Sequence, residues 1–382
     1  MKLLDICETI VDCPHSTAKD EGTGYPLIRT PNVGKGRLKL AGVHRVSENV
    51  YNQRNERAVP QVDDLILARE APVGNVAIIR QGQQVCLGQR TVLIRPNKEY
   101  VDPDYLVYYL LSPELQHKLL SSANGATVSH LNMSSIRSLE VQVPEIEIQK
   151  RIGAILARID DKIELNTAIN ENLEQQAQAL FKNLIADIQE RVPFTSVIQV
   201  LGGGTPKTGK QEYWNGEIPF FTPKDVGAPY VLTTEKSITP LGLDNCNSRL
   251  YPVNTVFLTA RGTVGKVSLA GVPMSMNQSC YALTGKDGLH QIIVYHYVLE
   301  TVKALKHKAS GAVFDAIITR DFDTESVPAL SSEQIDSFIA VAEPIYSDIL
   351  NRTIENQRLA ALRDTLLPKL MNGEIDVSSV QI

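Results

Sequence analysis

Cysteine is scarce and scattered. The five present, Cys7, Cys13, Cys86, Cys246 and Cys280, form no C-x-x-C pair, which argues against a disulfide framework and a zinc site and predicts buried, reduced thiols. The seven histidines are equally dispersed, with no H-E-x-x-H spacing, so no metal ligand set is expected. Long apolar runs are missing too. None approaches the roughly 20 residues that cross a bilayer, and Leu3 and Leu4 lead straight into Asp5 and Glu8, which leaves no secretory h-region. The expectation is a cytoplasmic protein away from the membrane. Tryptophan occurs once, as Trp214, and core packing is its expected role. Neither charge sign dominates, with 38 basic against 43 acidic side chains. A length of 382 residues predicts two or three domains, each with its own core.

One stretch imitates a nucleotide site. Gly204 to Lys210 reads G-T-P-K-T-G-K, which fits the phosphate-cradling loop until the next residue. Gln211 stands where a Ser or Thr hydroxyl would hold magnesium. The loop also needs a helix whose N-terminal amides face the phosphates, and E-Y-W-N-G followed by Pro219 reads as a turn into a strand. A surface loop that binds something other than ATP is the better reading.

The chain is written twice. P-L-I-R-T-P-N-V-G (Pro26–Gly34) returns as P-F-F-T-P-K-D-V-G (Pro219–Gly227), and V-D-D-L-I-L-A-R-E-A-P-V-G-N-V (Val62–Val76) as V-N-T-V-F-L-T-A-R-G-T-V-G-K-V (Val253–Val267). Gln89 matches Gln278, and Gly125-Ala126 matches Gly311-Ala312. The offset falls from 193 through 191 and 189 to 186, which indicates small loop deletions within one fold used twice. Short apolar runs bounded by Gly and Pro predict strands, with helices over Tyr105–Leu120 and Ile292–Ala304, so each copy is a mixed α+β globule.

A heptad seam follows each globule. Ile152, Leu156, Ile159, Ile163, Asn166, Asn170, Leu173, Ala177, Leu180 and Leu184 alternate steps of four and three. So do Phe338, Ala342, Ile345, Ile349, Arg352, Asn356, Leu359, Arg363, Leu366 and Leu370, at an offset of 186. Each predicts a helix of about 50 Å, too long for packing inside a small domain, so the two are expected to pair. Antiparallel pairing sets Asn166 against Asn356 and Asn170 against Arg352; parallel pairing sets Asn170 against Asn356. Polar residues in mid-seam cost stability and fix register. Pro344 predicts that the second helix either begins near it or bends there.

Charge separates these segments. Residues 1–146 hold 16 basic and 16 acidic side chains and 190–330 hold 13 and 12, whereas 147–189 hold 5 and 7 and 331–382 hold 4 and 8. A polyanion would therefore be met by local patches on the globules and not by the helices. Two globules with shared framework and different loops, fixed by a long spacer, suit a target with two separated features, such as half-sites on a DNA duplex. A two-headed scaffold that binds only proteins is the alternative.

The residues carry a resemblance. D-C-P-H-S-T (12–17), G-G-T-P-K (203–207), Y-W-N-G (213–216), F-T-P-K-D-V (221–226), A-R-G-T-V-G (260–265) and N-Q (277–278) resemble the type I restriction-modification specificity subunit. So do I-E-L-N (163–166) with E-N-L (171–173), and L-R-D-T-L-L-P-K-L (362–370) with G-E (373–374). The likeness runs along essentially the whole chain. It implies two similar mixed α/β target recognition domains, at 1–146 and 190–330, separated by spacer helices at 147–189 and 331–382 that form an antiparallel coiled coil with a pseudo-two-fold repeat. It also implies that each domain reads half of an asymmetric bipartite site in double-stranded DNA. Two adenine methyltransferase subunits dock on the helices, and a translocase-nuclease joins the larger complex. On this resemblance the chain is no enzyme and holds no cofactor; S-adenosylmethionine and ATP belong to the partners. The chain accordingly lacks an Asn-Pro-Pro-Tyr methyltransferase motif and a nuclease carboxylate-lysine cluster.

Candidate DNA contacts are loop residues with guanidinium, ammonium, amide or hydroxyl groups, which can reach base edges or phosphates. In the first domain these are Ser16, Thr17, Lys19, Arg29, Thr30, Asn32, Lys35, Arg69, Gln89, Arg90 and His130. In the second they are Thr205, Lys207, Lys210, Thr222, Lys224, Arg261, Gln278 and Arg320. Gln89 and Gln278 hold equivalent framework positions, which favours bonding to backbone. Arg69 and Arg261 are equally suited to DNA or to a salt bridge, and Lys207 and Lys210 to phosphate.

Overall fold

The computed structural model describes residues 1–121, 130–227, 229–308 and 316–380; the Gly125-Ala126 and Gly311-Ala312 match lies outside them. The chain forms two compact units, one of residues 1–164 with 357–382, the other of residues 165–356.

The first unit contains β1 (Cys7–Asp12), β2 (Tyr25–Ile28), β3 (Gly36–Arg37), β4 (Arg45–Val46), β5 (Leu65–Ala68), β6 (Val76–Ile78), β7 (Cys86–Leu87) and β8 (Thr91–Pro96). They make a five-stranded sheet, β1-β8-β5-β6-β3, and a small one, β4-β2-β7. Alternation along the strands gives the large sheet two apolar faces. Leu65, Leu67, Val92 and Ile94 share a core with Tyr105, Leu106 and Tyr109, while Ile66, Ala68 and Leu93 pack in a separate cluster with Ile28 and Val85. The helix predicted over Tyr105–Leu120 is two, Pro103–Leu111 and Pro113–Ser121. Pro113 disfavours helical geometry at the residue before it, and Ser112 is extended with ψ 148°.

The second unit repeats this plan with β9 (Arg191–Pro193), β10 (Ile198–Gly202), β11 (Trp214–Phe221), β12 (Tyr230–Val231), β13 (Ser237–Ile238), β14 (Val256–Thr259), β15 (Val267–Ala270), β16 (Ser275–Met276), β17 (Cys280–Gly285) and β18 (Ser326–Pro328). Its sheets run β10-β17-β14-β15-β12 and β13-β11-β16, with β9 and β18 paired separately. The register is the same in both: Leu65 lies between Ile94 and Ile78, and Val256 between Leu283 and Leu269. The helix Gln291–Lys308 covers the second sheet.

Two 40-residue helices, Ile146–Ile185 and Ser332–Met371, carry the seam. They pair antiparallel in each unit. In the first, Asp160 meets Arg363 at 2.7 Å, and Ile152 shares a core with Leu370. In the second, Asn166 donates to Asn356 at 2.9 Å, and the rings of Phe181 and Phe338 lie 5.3 Å apart. The Asn170–Arg352 pairing expected for this direction is replaced. Arg352, with its long stem, reaches the side-chain amide oxygen of Asn166 at 3.2 Å, and the shorter Thr353 meets the Asn170 side chain at 3.3 Å. The seam drifts as well. Leu180 is exposed and Phe181 buried, and Tyr346, absent from the seam as read, is buried in the same core as Phe181, because a helix of 3.6 residues per turn slides off a strict 3.5 repeat.

The second helix does not begin at Pro344 but runs through it. Pro344 stands on the exposed side, and the carbonyl it leaves without a donor belongs to exposed Ala340, within reach of water. Beyond Met371 the chain leaves the helix. Val377 is buried in the first unit's core, and Arg151 donates to the carbonyls of Val377 and Ser378. All five thiols are free; Cys13, Cys86 and Cys280 are buried as expected, while Cys7 and Cys246 are only half-buried. Among the described residues no helix is long and apolar enough to cross a membrane.

Candidate nucleic-acid interface

In the first unit Asp12 pairs with Val92, and Ala68 with Thr91. The end of β1, the end of β5 and the start of β8 therefore lie at one edge, and the loops leaving them converge there. A polar network joins these loops. Arg69, 6% exposed, donates from one nitrogen to both carboxylate oxygens of Asp12 at 2.7 Å and from Nε to the Leu131 carbonyl at 2.8 Å. Its remaining nitrogen lies 2.7 Å from Nε2 of His130. A guanidinium only donates, so Nε2 accepts and the ring proton sits on Nδ1, which faces Glu70 at 3.3 Å. Glu70 also holds exposed Arg90 at 2.9 Å. Gln89 donates to the His15 carbonyl at 2.8 Å and accepts from Thr17 at 3.0 Å.

Other residues named from the sequence shape this edge or lie elsewhere. Asn32 and Thr30 are buried, and the Asn32 amide ties the Arg29 N–H to the Lys39 carbonyl, which is a turn-holding role. The Nε of Arg29 is buried without a hydrogen-bond partner among the described residues, and its stem lies where a Cβ on Gly88 would meet it at 2.9 Å. Ser16 and Lys19 are exposed in the loop after β1. Lys35 stands apart, lining a pocket with Gln116, Arg363 and Pro368. Arg54 escaped the sequence reading. It is 5% exposed and holds the carbonyls of Leu87, Ser16 and Pro14 at 2.5, 3.0 and 3.3 Å. Burial pulls its pKa down, so three carbonyl partners are needed to keep that charge inside. Its helical context, E-N-V-Y-N-Q-R, carries no motif that would have marked it.

The second unit brings the equivalent ends together, pairing Gly202 with Tyr281 and Thr259 with Cys280. Thr205 donates to Gln278 as Thr17 does to Gln89. Asp225 accepts from the Thr222 N–H at 2.8 Å and its hydroxyl at 2.7 Å, repeating the Asn32 turn. Lys224 is exposed, 3.6 Å from Glu235. Lys207 is exposed without an ion pair among the described residues, while exposed Lys210 has Glu212 at 3.5 Å and the Tyr213 ring at 5.2 Å. Tyr213 and then Glu212 raise the Lys210 pKa. Arg261 and Arg320 are exposed, and neither side chain has a bond among the described residues.

The loop that imitates a nucleotide site is followed by three residues of 3-10 helix, Gln211–Tyr213, and then β11. Its glycines serve chain packing: a Cβ on Gly203 would fall 2.1 Å from the Asn277 carbonyl oxygen, and one on Gly204 2.6 Å from the Asn247 nitrogen. Trp214 is half-buried, edge-on to Phe220 at 5.5 Å, and donates to the Lys207 carbonyl at 3.3 Å. No cluster able to hold a metal occurs among the described residues.

A family model for the type I restriction modification DNA specificity domain matches residues 1–175 and again 190–338. The chain is 25% identical over 366 residues to the specificity subunit of the type I restriction enzyme HindI of Haemophilus influenzae, covering 74% of this chain and 80% of that one. It is 22% identical to the MjaIX specificity subunit of Methanocaldococcus jannaschii, with 89% and 83% covered. The crystal structure of the type I system S subunit from M. genitalium shares the fold, with a TM-score of 0.57 at 13% identity over 97% of this chain and 95% of that one. With the domain matched twice, once on each of two units of identical strand order, the chain belongs to the type I restriction-modification DNA specificity family.

Proposed function

We propose that this chain is the sequence-recognition subunit of a type I restriction-modification complex, each unit reading one half of an asymmetric bipartite site in double-stranded DNA. The observation that carries this reading is one strand order built twice, with polar loops gathered at the same edge of each sheet and different side chains on them. A common framework with divergent loops reads two different half-sites. Two methyltransferase subunits dock on the long helices and bring the S-adenosylmethionine chemistry. A translocase-nuclease, where it joins, brings the ATP chemistry, and the chain itself positions them on DNA. A scaffold for proteins alone is disfavoured, because the family it belongs to is one of DNA specificity domains.

Exchanging residues 1–146 for the matching domain of another family member should change one half-site and leave the other intact. Sequencing of methylated sites made by the reconstituted complex checks this, and a change in both halves would sink the reading. Lys207 and Lys210 are exposed in the loop after β10. Replacing both with alanine should weaken binding to every duplex and flatten the slope of log affinity against log salt by about one to two units, with base preference unchanged. A shifted preference at an unchanged slope would reassign this loop to base reading.

A further inference from the structure

Glu70 and Arg261 occupy the same position in the two folds. The residue before each is held identically: Arg69 donates its N–H to the Arg90 carbonyl at 2.8 Å, and Ala260 donates to Ser279 at 2.8 Å. The carbonyls of Arg69 and Ala260 then accept from Leu131 at 3.0 Å and Ile317 at 2.9 Å. Superimposing these bonds places Arg90 on Ser279 and His130 on Ala316. The charge at the shared position is inverted, but the group offered to solvent is not. In the second unit Arg261 is exposed and its two counterpart neighbours, Ser279 and Ala316, carry no charge. In the first unit Glu70, its side chain 19% exposed between His130 and Arg90, grips the Arg90 guanidinium at 2.9 Å, and the Arg90 side chain is 61% exposed. Each fold therefore delivers one solvent-facing guanidinium to the same place beside its Thr–Gln pair. One comes directly from the turn after β14; the other comes from the turn before β8 and is steered by a carboxylate.

We infer that Arg261 and Arg90 are the specificity-determining guanidinium groups of the two recognition folds, each reading a guanine at the equivalent place in its half-site, with Glu70 the positioning residue for Arg90. An arginine donating two bonds to O6 and N7 of guanine is the commonest specific contact in the major groove. A side chain with no bond among the described residues, or held by a single carboxylate at the rim, keeps the donors for it. His130 and Arg69 behind Glu70 limit where the carboxylate can stand, which gives the Arg90 fork a fixed direction.

The inference rests on the proposed DNA-recognition role, and one experiment separates the two. The reconstituted complex with its methyltransferase subunits is given a randomised duplex library, and the methylated sites are sequenced. Arg261→Ala should reduce discrimination about tenfold or more at a single G·C pair of one half-site, and Arg90→Ala should do so at a single G·C pair of the other. Glu70→Ala should relax the same pair as Arg90→Ala, and the double variant Glu70→Ala/Arg90→Ala should be no worse than Arg90→Ala alone. Unchanged base preference in the variants, with only an even loss of affinity, would make both arginines phosphate contacts and overturn the inference while leaving the function standing. A wild-type complex with no sequence preference would overturn the function itself.

Discussion

Arg363→Ala should cost the first unit about 3 kcal/mol, because it strips the partner from a carboxylate that is out of water. Asp160 has a 3% exposed side chain and is held by the Arg363 guanidinium at 2.7 Å and the Tyr108 hydroxyl at 2.6 Å. Arg37, 8% exposed, lies behind them, donating to Tyr108 at 3.3 Å, the Ala157 carbonyl at 3.2 Å and Asp161 at 2.6 Å. Burial works against the Arg363 charge, but Asp160 and Asp364 together more than compensate, and the guanidinium's pKa is raised. Truncating Arg363 leaves Asp160 with one hydroxyl donor and a more distant cation. Replacing the pair together, Asp160→Leu/Arg363→Leu, should recover most of the loss, since an apolar pair of similar volume needs no charge partner. Hydrogen exchange in the strands of the first unit measures both. A loss below about 1 kcal/mol for Arg363→Ala would show that Arg37 alone satisfies Asp160.

Acid should destabilise the second unit through His296. This ring is 2% exposed, stacked on Phe181 at 4.6 Å and hydrogen-bonded to Tyr346 at 3.1 Å. Burial, and then Lys303, push its pKa down from 6.5 to about 3. The folded state holds the ring neutral while the unfolded chain binds a proton below pH 6.5, so the unfolded state gains protons and stability falls as pH falls. The contribution is fully present above pH 6.5, declines by roughly 1.4 kcal/mol per pH unit beneath it, and levels off near pH 3. Between pH 6.5 and 4.5 the loss is about 2 kcal/mol. His296→Gln, which keeps a polar partner for Tyr346 and cannot titrate, should remove that slope. Equal acid sensitivity in the two proteins, measured by exchange protection in the helix Gln291–Lys308, would show that His296 is not the titrating group.

The two units use different chemistry for one task, and only part of this was legible in the sequence. Tyr108 and Tyr295 stand at equivalent places on the helices that cover their sheets. Tyr108 bonds Asp160 within an ionic group, whereas Tyr295 bonds Glu174 at 2.7 Å in a setting dominated by rings. Arg363 occupies a seam position between apolar Leu359 and Leu366, and nothing local shows that Asp160, 203 positions away, lies opposite it. Periodicity likewise marked Leu180 where Phe181 is buried: heptad counting assumes one partner helix, and this helix also packs on the domain that precedes β18.

The candidate interface divides the same way. Residue type picked out Arg69, Gln89, Arg90 and Arg261, but not Asp12, Arg54 or Glu70, which govern how those side chains are held. Carboxylates, and an arginine in an unremarkable helical stretch, have no signature until the sheet register brings β1, β5 and β8 to one edge. By itself the sequence determined the duplication, the α+β class and the presence of two long seams, since each is written in strings or periods of nearby residues that fix local conformation whatever the rest of the chain does. The tertiary structure alone decided that the helices pair antiparallel within each unit, that Asn166 meets Asn356, and which charged groups neutralise each other and which stay open to solvent. Those depend on contacts between residues tens to hundreds of positions apart, and burial sets their strength by removing water from some charges and leaving it on others.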